Sequence, residues 1–228
     1  PAALECFEPG ITLADEVAHP YSQTLLREEK GFCFIEMGRL EEAIDILEAG
    51  LQIAEQEEVA TMIAPTVARL AIALCRAGRH EDAARRLQVA EDRGASRAAA
   101  EYGRNFLTLA RAETSLCRGD REQALAQARQ VESATAKSVE HNNGYALATL
   151  GEVQALLPES RVDALAAYEK AAVFAGDRGM LPRVHGARAR LLRAAGDAPA
   201  ADAEQTAARE LCRQLGVLES ALDVPWAV

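Results

Sequence analysis

The chain has 228 residues, a formal net charge of −10 and a pI near 5.0. Surfaces that hold phosphate backbones need clustered positive charge, so this balance argues against nucleic acid as a direct partner. Hydrophobic residues make up 49%, enough for a sizeable core. No apolar run reaches the roughly 18 residues of a membrane span, and no signal peptide is expected from these residues.

The cytoplasm is therefore the expected location, with no membrane partner. Three lysines stand against twenty-two arginines, which with the abundant alanine suggests a GC-rich bacterial genome. The five cysteines (Cys6, Cys33, Cys75, Cys117 and Cys212) are odd in number and widely spaced, as expected of reduced thiols and not of a disulfide framework.

One word recurs along the chain. GRLEEAIDILEAGLQIA from Gly38 returns, blurred, from Gly78, Gly119, Glu159 and Gly196, at intervals of 40, 41, 40 and 37 residues. A period of this size means one supersecondary unit stacked on copies of itself, each burying its apolar face against a neighbour.

Residues 1–20 form a half repeat. Ala2–Ala14 aligns with Glu42–Ala54 at an offset of 40, so that Ala3, Phe7, Gly10 and Ala14 fall on Ala43, Leu47, Gly50 and Ala54. The chain thus opens on a second helix, and we expect it to be part of a longer protein. Pro9 removes a backbone donor, so a break is expected near Glu8–Gly10.

His19-Pro20 makes a turn, and Ser22 is the expected N-cap of a helix through Met37 that Gly38 ends. The pair 22–56 is completed by Glu41–Gln56, with Ala43, Ile44, Leu47, Leu51 and Ala54 on one face. Ala43, Ala83, Ala124, Ala164 and Ala201 occupy equivalent places, where the two helices of a pair should cross closely.

Further helix pairs follow at 61–93, 98–134, 138–175 and 181–215: Thr61–Ala77 with His80–Arg93, Ala98–Arg118 with Arg121–Ala134, Ser138–Leu157 with Val162–Ala175, and Leu181–Ala195 with Ala200–Leu215. Strand signals are absent. Gly216 reads as a helix stop, and the tail 217–228, with Leu218, Leu222, Val224 and Trp226, reads as a lid over the last pair or as a docking segment for another chain. The expected fold is an all-α solenoid of about five helix pairs plus the N-terminal half repeat.

These residues resemble the tetratricopeptide repeat family. Its pattern places a small residue seven before the inter-helix glycine, a large apolar residue four before it, an alanine five after and a large apolar residue nine after. Gly31, Phe34, Gly38, Ala43 and Leu47 fill those places, as do Ala71, Leu74, Gly78, Ala83 and Leu87. Ala112, Gly119 and Ala124 keep part of the pattern, Leu150-Gly151, Ala164 and Tyr168 another part, and Ala189, Leu192, Gly196 and Ala201 the last.

The period near 40, longer than the family's 34, is similar to that in the C-terminal repeat regions of bacterial signal-responsive ATPase and transcription regulators and of repeat-bearing nucleotide cyclases. The run ADEVAHPYSQTL, Ala14–Leu25, shares their flavour. The resemblance implies a right-handed α-α superhelix. It also implies a sensor or protein-interaction role in a larger regulator, with a free-standing self-associating scaffold, or the non-catalytic region of an ATPase or cyclase, as alternatives.

In that register the concave face is lined by the first helices, and its candidate contacts are Glu28, Phe32, Arg76, Leu109, Glu113, Tyr145, Glu152, Arg190 and Arg193. The family's carboxylate clamp of lysines and asparagines meets Glu28/Phe32, Ala68/Ile72 and Leu109/Glu113 instead, so it is not expected here. The groove should be apolar and acidic at its N-terminal end and basic at its C-terminal end, suiting an amphipathic protein or peptide ligand or an upstream effector domain of the same chain. Charge reversal at Glu113 and Glu152 should then weaken partner binding with helicity intact.

Arg183, Arg188, Arg190 and Arg193 form a basic cluster that should pair with nearby acids. The run Glu55, Glu57 and Glu58 reads as a solvated helix end. His19, His80, His141 and His185 stand in no metal-ligand spacing, and Cys33, Cys75 and Cys117 each precede an inter-helix glycine and read as small buried hydrophobes. With no phosphate loop, nucleophile elbow or paired carboxylates, neither enzyme activity, a cofactor nor a metal is expected.

Overall fold

The structure, a computed structural model, describes residues 2–94, 101–135, 142–156, 160–174 and 180–223. Among these lie eleven α-helices: α1 (Ala2–Glu16), α2 (Pro20–Glu36), α3 (Leu40–Gln56), α4 (Ala60–Arg76), α5 (His80–Asp92), α6 (Glu101–Cys117), α7 (Arg121–Thr135), α8 (Asn142–Ala155), α9 (Arg161–Phe174), α10 (Leu181–Ala194) and α11 (Ala198–Leu215). A 3-10 turn at Glu219–Leu222 follows. The described helices match the expected pairs to within a few residues. The expected segments at 98–100 and 138–141 lie outside the described residues, as does Trp226.

The described residues fall into two compact units, one built from α1–α6 without residues 36–38, and one from α7 onward together with residues 36–38. In the first, α4 packs against α3, α5 and α6, and in the second α8 packs against α7 and α9, and α10 against α9 and α11. Packing of this kind, each helix mainly on those next to it in sequence, is what a helical repeat requires.

The sequence pattern explains the contacts within a pair. Ala43, Ala83, Ala124, Ala164 and Ala201 are all fully buried, as a close crossing demands. The small residue of the first helix meets the large apolar residue of the second. A Cβ on Gly31 would stand 2.5 Å from Leu47 Cγ, and one on Gly151 would stand 2.7 Å from Tyr168 Cε1. After the first helices the chain turns through glycine at positive φ, 76° at Gly38 and 78° at Gly78, a conformation that costs other residues free energy.

Two local expectations are corrected. Helix α1 runs through Pro9 without a break, the proline forfeiting one backbone bond within a helix of 15 residues. Ser22 lies inside α2, which starts at Pro20, where a missing N–H costs nothing because the first-turn amides have no helical partner. The cap is His19 instead: its Nδ1 accepts from Ser22 N at 3.3 Å and lies 2.9 Å from Ser22 Oγ.

Gly216, with φ 69°, ends α11 as expected. Beyond it Val217 and Leu222 bury their side chains beside Ala208 and Cys212, and Leu222 lies over Gly186 of α10. As far as Asp223, then, the tail covers the last helix pair.

Candidate functional site

Successive first helices meet through charged side chains. In the first unit Arg69 of α4 reaches back to α2. Its Nε lies 3.1 Å from Glu28 Oε1, while Nη1 donates to the Glu28 carbonyl at 3.2 Å and Nη2 to Glu29 Oε1 at 3.1 Å. The guanidinium is held between two rings, 4.5 Å from the centroid of Phe32 on α2 and 5.2 Å from that of Phe106 on α6. About two turns further along α4, Arg76 lies 3.4 Å from both carboxylate oxygens of Glu113 on α6.

The second unit repeats the device. Arg183 of α10 donates from Nε and Nη2 to the two oxygens of Glu152 on α8, both at 2.7 Å, a bidentate geometry in which the planar guanidinium matches the carboxylate.

These contacts decide where the groove candidates stand. Glu28, Leu109, Glu113 and Glu152 are buried, at 1%, 0%, 0% and 3% exposure, so their side chains pack between helices instead of facing a ligand. The acidic N-terminal groove is therefore corrected: Arg69 and Arg76 lie against its carboxylates, and every residue of α4 from Ala64 to Cys75 is buried. Phe32 and Arg76 remain half-buried in the first unit, and Arg190 is half-buried and Arg193 exposed in the second. The side chain of Tyr145 lies outside the described residues.

Burial also explains the electrostatics. Loss of water around Glu28 outweighs the attraction of Arg69 and pushes its carboxyl from an ordinary 4.5 up to about 7, with the neighbouring Glu29 charge adding to the rise.

The arginine cluster of α10 is paired throughout. Besides the Arg183–Glu152 pair, Arg188 meets Glu204 at 3.0 Å, Arg193 meets Asp202 at 3.0 Å, and Arg190 donates to the carbonyl of Leu222. His185 shares Glu204, at 2.6 Å. Of the run Glu55, Glu57 and Glu58, Glu55 pairs at 2.7 Å with Arg93, the C-cap of the neighbouring second helix.

No protein-family model and no curated protein matches this chain. What it displays is an all-helical chain with sequential packing, and none of its described helices is long and apolar enough to cross a membrane.

Sequence reasoning missed Arg69. The signal was present: a single arginine in the otherwise uncharged run ATMIAPTVARLAIALC must reach a partner if the helix is enclosed.

Proposed function

We propose that the chain is a tetratricopeptide-like protein- or peptide-binding module, the interaction part of a larger bacterial regulatory protein, with an upstream effector domain or a separate protein as its partner. The observation that supports this is the neighbour-on-neighbour stacking of helix pairs, because such stacks present a continuous row of first-helix side chains to a partner. Recognition falls to the first-helix residues that keep solvent access: Phe32 and Arg76 in one unit, Arg190 and Arg193 in the other. Glu28, Glu113 and Glu152 hold neighbouring first helices together and act on a partner only through the shape of the stack.

The test uses the partner recovered with the chain by affinity capture from its native extract. Phe32→Ala and Arg193→Glu should each weaken its binding at least about tenfold with helicity unchanged. Equal affinity in both variants would remove the first-helix row as the binding face.

A further inference from the structure

Sequence spacing leads to no expectation of a metal site, yet the fold brings three ligand residues together. Cys75 lies one residue from the end of α4, Cys117 ends α6 and His80 opens α5. Their sulfurs and an imidazole nitrogen lie within 4.8 Å of one another, in a cluster with Cys75 buried and the other two half-buried. We propose that Cys75, His80 and Cys117 form a site for a divalent thiophilic cation, zinc by preference, with water completing a tetrahedral shell.

Four observations support the assignment. Two thiolates and one imidazole are borderline-soft donors suited to zinc, with bonds of about 2.3 Å to sulfur and about 2.0 Å to nitrogen. Those bonds set ligand atoms roughly 3.5–3.8 Å apart, so the cluster closes by about 1 Å, within reach of small χ1 changes at helix ends.

Second, His80 Nδ1 is shut off from solvent and has no hydrogen-bond partner among the described residues. An orphaned polar atom of this kind is unfavourable, and a ring bound to metal removes or lessens that deficit.

Third, charge selects the cation. Two thiolates balance a divalent ion, whereas a monovalent one would leave a net negative charge. The nearby Arg76–Glu113 pair, 3.4 Å apart, sums to zero and does not alter the balance. Both cysteines also sit at helix C-termini, where the partial negative charge of the backbone favours a cation.

Fourth, the surroundings are built to support a thiolate. Cys75 Sγ lies 3.3 Å from Thr114 Oγ1. That hydroxyl donates to the Ala110 carbonyl at 2.7 Å and can turn its proton to the sulfur when metal is bound, as outer-shell donors commonly do.

A redox pair is the competing use of two neighbouring thiols. Reactive thiols stand where an oxidant or partner thiol can reach them, whereas Cys75 is buried.

The test is a zinc titration of the reduced, metal-free full chain in competition with a chromophoric chelator. The expected result is one equivalent bound, with Cys117→Ser and His80→Gln each weakening affinity at least about tenfold and Cys33→Ser leaving it unchanged. Cobalt(II) in place of zinc should give thiolate-to-metal charge-transfer absorption.

No stoichiometric binding, or equal binding by the Cys117→Ser and His80→Gln variants, overturns the proposal. Should either variant fail to fold, X-ray absorption of the zinc-loaded native chain decides: a shell with two sulfurs supports the site, and a shell of nitrogen and oxygen alone overturns it. A Cys75–Cys117 disulfide that forms as fast with zinc as without it also overturns it.

Discussion

The Glu152–Arg183 pair joins α8 to α10, and its worth depends on what replaces it. Both nitrogen–oxygen distances are 2.7 Å, and the side chains are 2% and 5% exposed. At an effective dielectric of about 20, two unit charges at this separation attract by roughly 6 kcal/mol. Burying each ion costs several kcal/mol, so the pair is close to neutral as a whole. Removing one partner is different, because the other charge stays buried without compensation.

Glu152→Leu and Arg183→Met should each destabilise the fold by about 3–5 kcal/mol, and the double variant by less than about 2 kcal/mol. Urea unfolding followed by circular dichroism measures the three values, and the cycle gives the coupling. Single variants that each lose under about 1 kcal/mol would refute the reasoning. So would a double variant that loses the sum of the singles, since it would mean that the two groups act independently. The same result bears on charge reversal at Glu152, which should unfold the second unit before it affects binding.

Glu28 makes stability depend on pH. Its folded pKa, about 7, lies above the ordinary 4.5, so the folded chain holds an extra proton between those values. This group's contribution is present in full below pH 4.5 and falls as pH rises to 7, by up to about 3 kcal/mol. Glu28→Gln should abolish that slope in denaturation curves taken from pH 5 to 8, and an unchanged slope would exclude Glu28 as its source.

Gly151→Ala should cost about 1–3 kcal/mol, because the new methyl meets the buried Tyr168 ring at 2.7 Å; a neutral thermal melt would show that the ring moves aside. Glu58, at φ 54°, takes a conformation that costs a side-chain-bearing residue about 1–2 kcal/mol. Glu58→Gly should therefore stabilise the chain by up to about 1 kcal/mol, and a lowered melting temperature would contradict this. Gly78→Ala should do the reverse: nothing lies within 4 Å of its Cβ, so the loss reports backbone strain alone.

Pairing within a repeat was legible in the sequence, because both halves of each contact lie in one short word. The alanine at each crossing, the glycines at the first turns of four pairs (Gly38, Gly78, Gly119 and Gly196) and the face of α3 were all readable from the repeat. Contacts between repeats were not legible. Periodicity says that Glu28 or Glu113 points inward, but not that an arginine 41 or 37 positions away reaches it. The carboxylates assigned to a groove were for that reason assigned to the wrong surroundings.

The same limit hid the cysteine–histidine cluster, whose members come from three helices and share no local spacing. At Pro9 and Ser22 the local rules named real preferences. The surrounding helix overrode the first, and the imidazole of His19 displaced the second.

Site-resolved photo-crosslinking locates the binding face on the helix stack. A photoreactive residue is placed in turn at Phe32 and Arg193 on first helices, and at the exposed Val89 and Val173 on second helices. The partner should be captured from Phe32 and Arg193 and not from Val89 or Val173. Capture from the second-helix positions alone would contradict this.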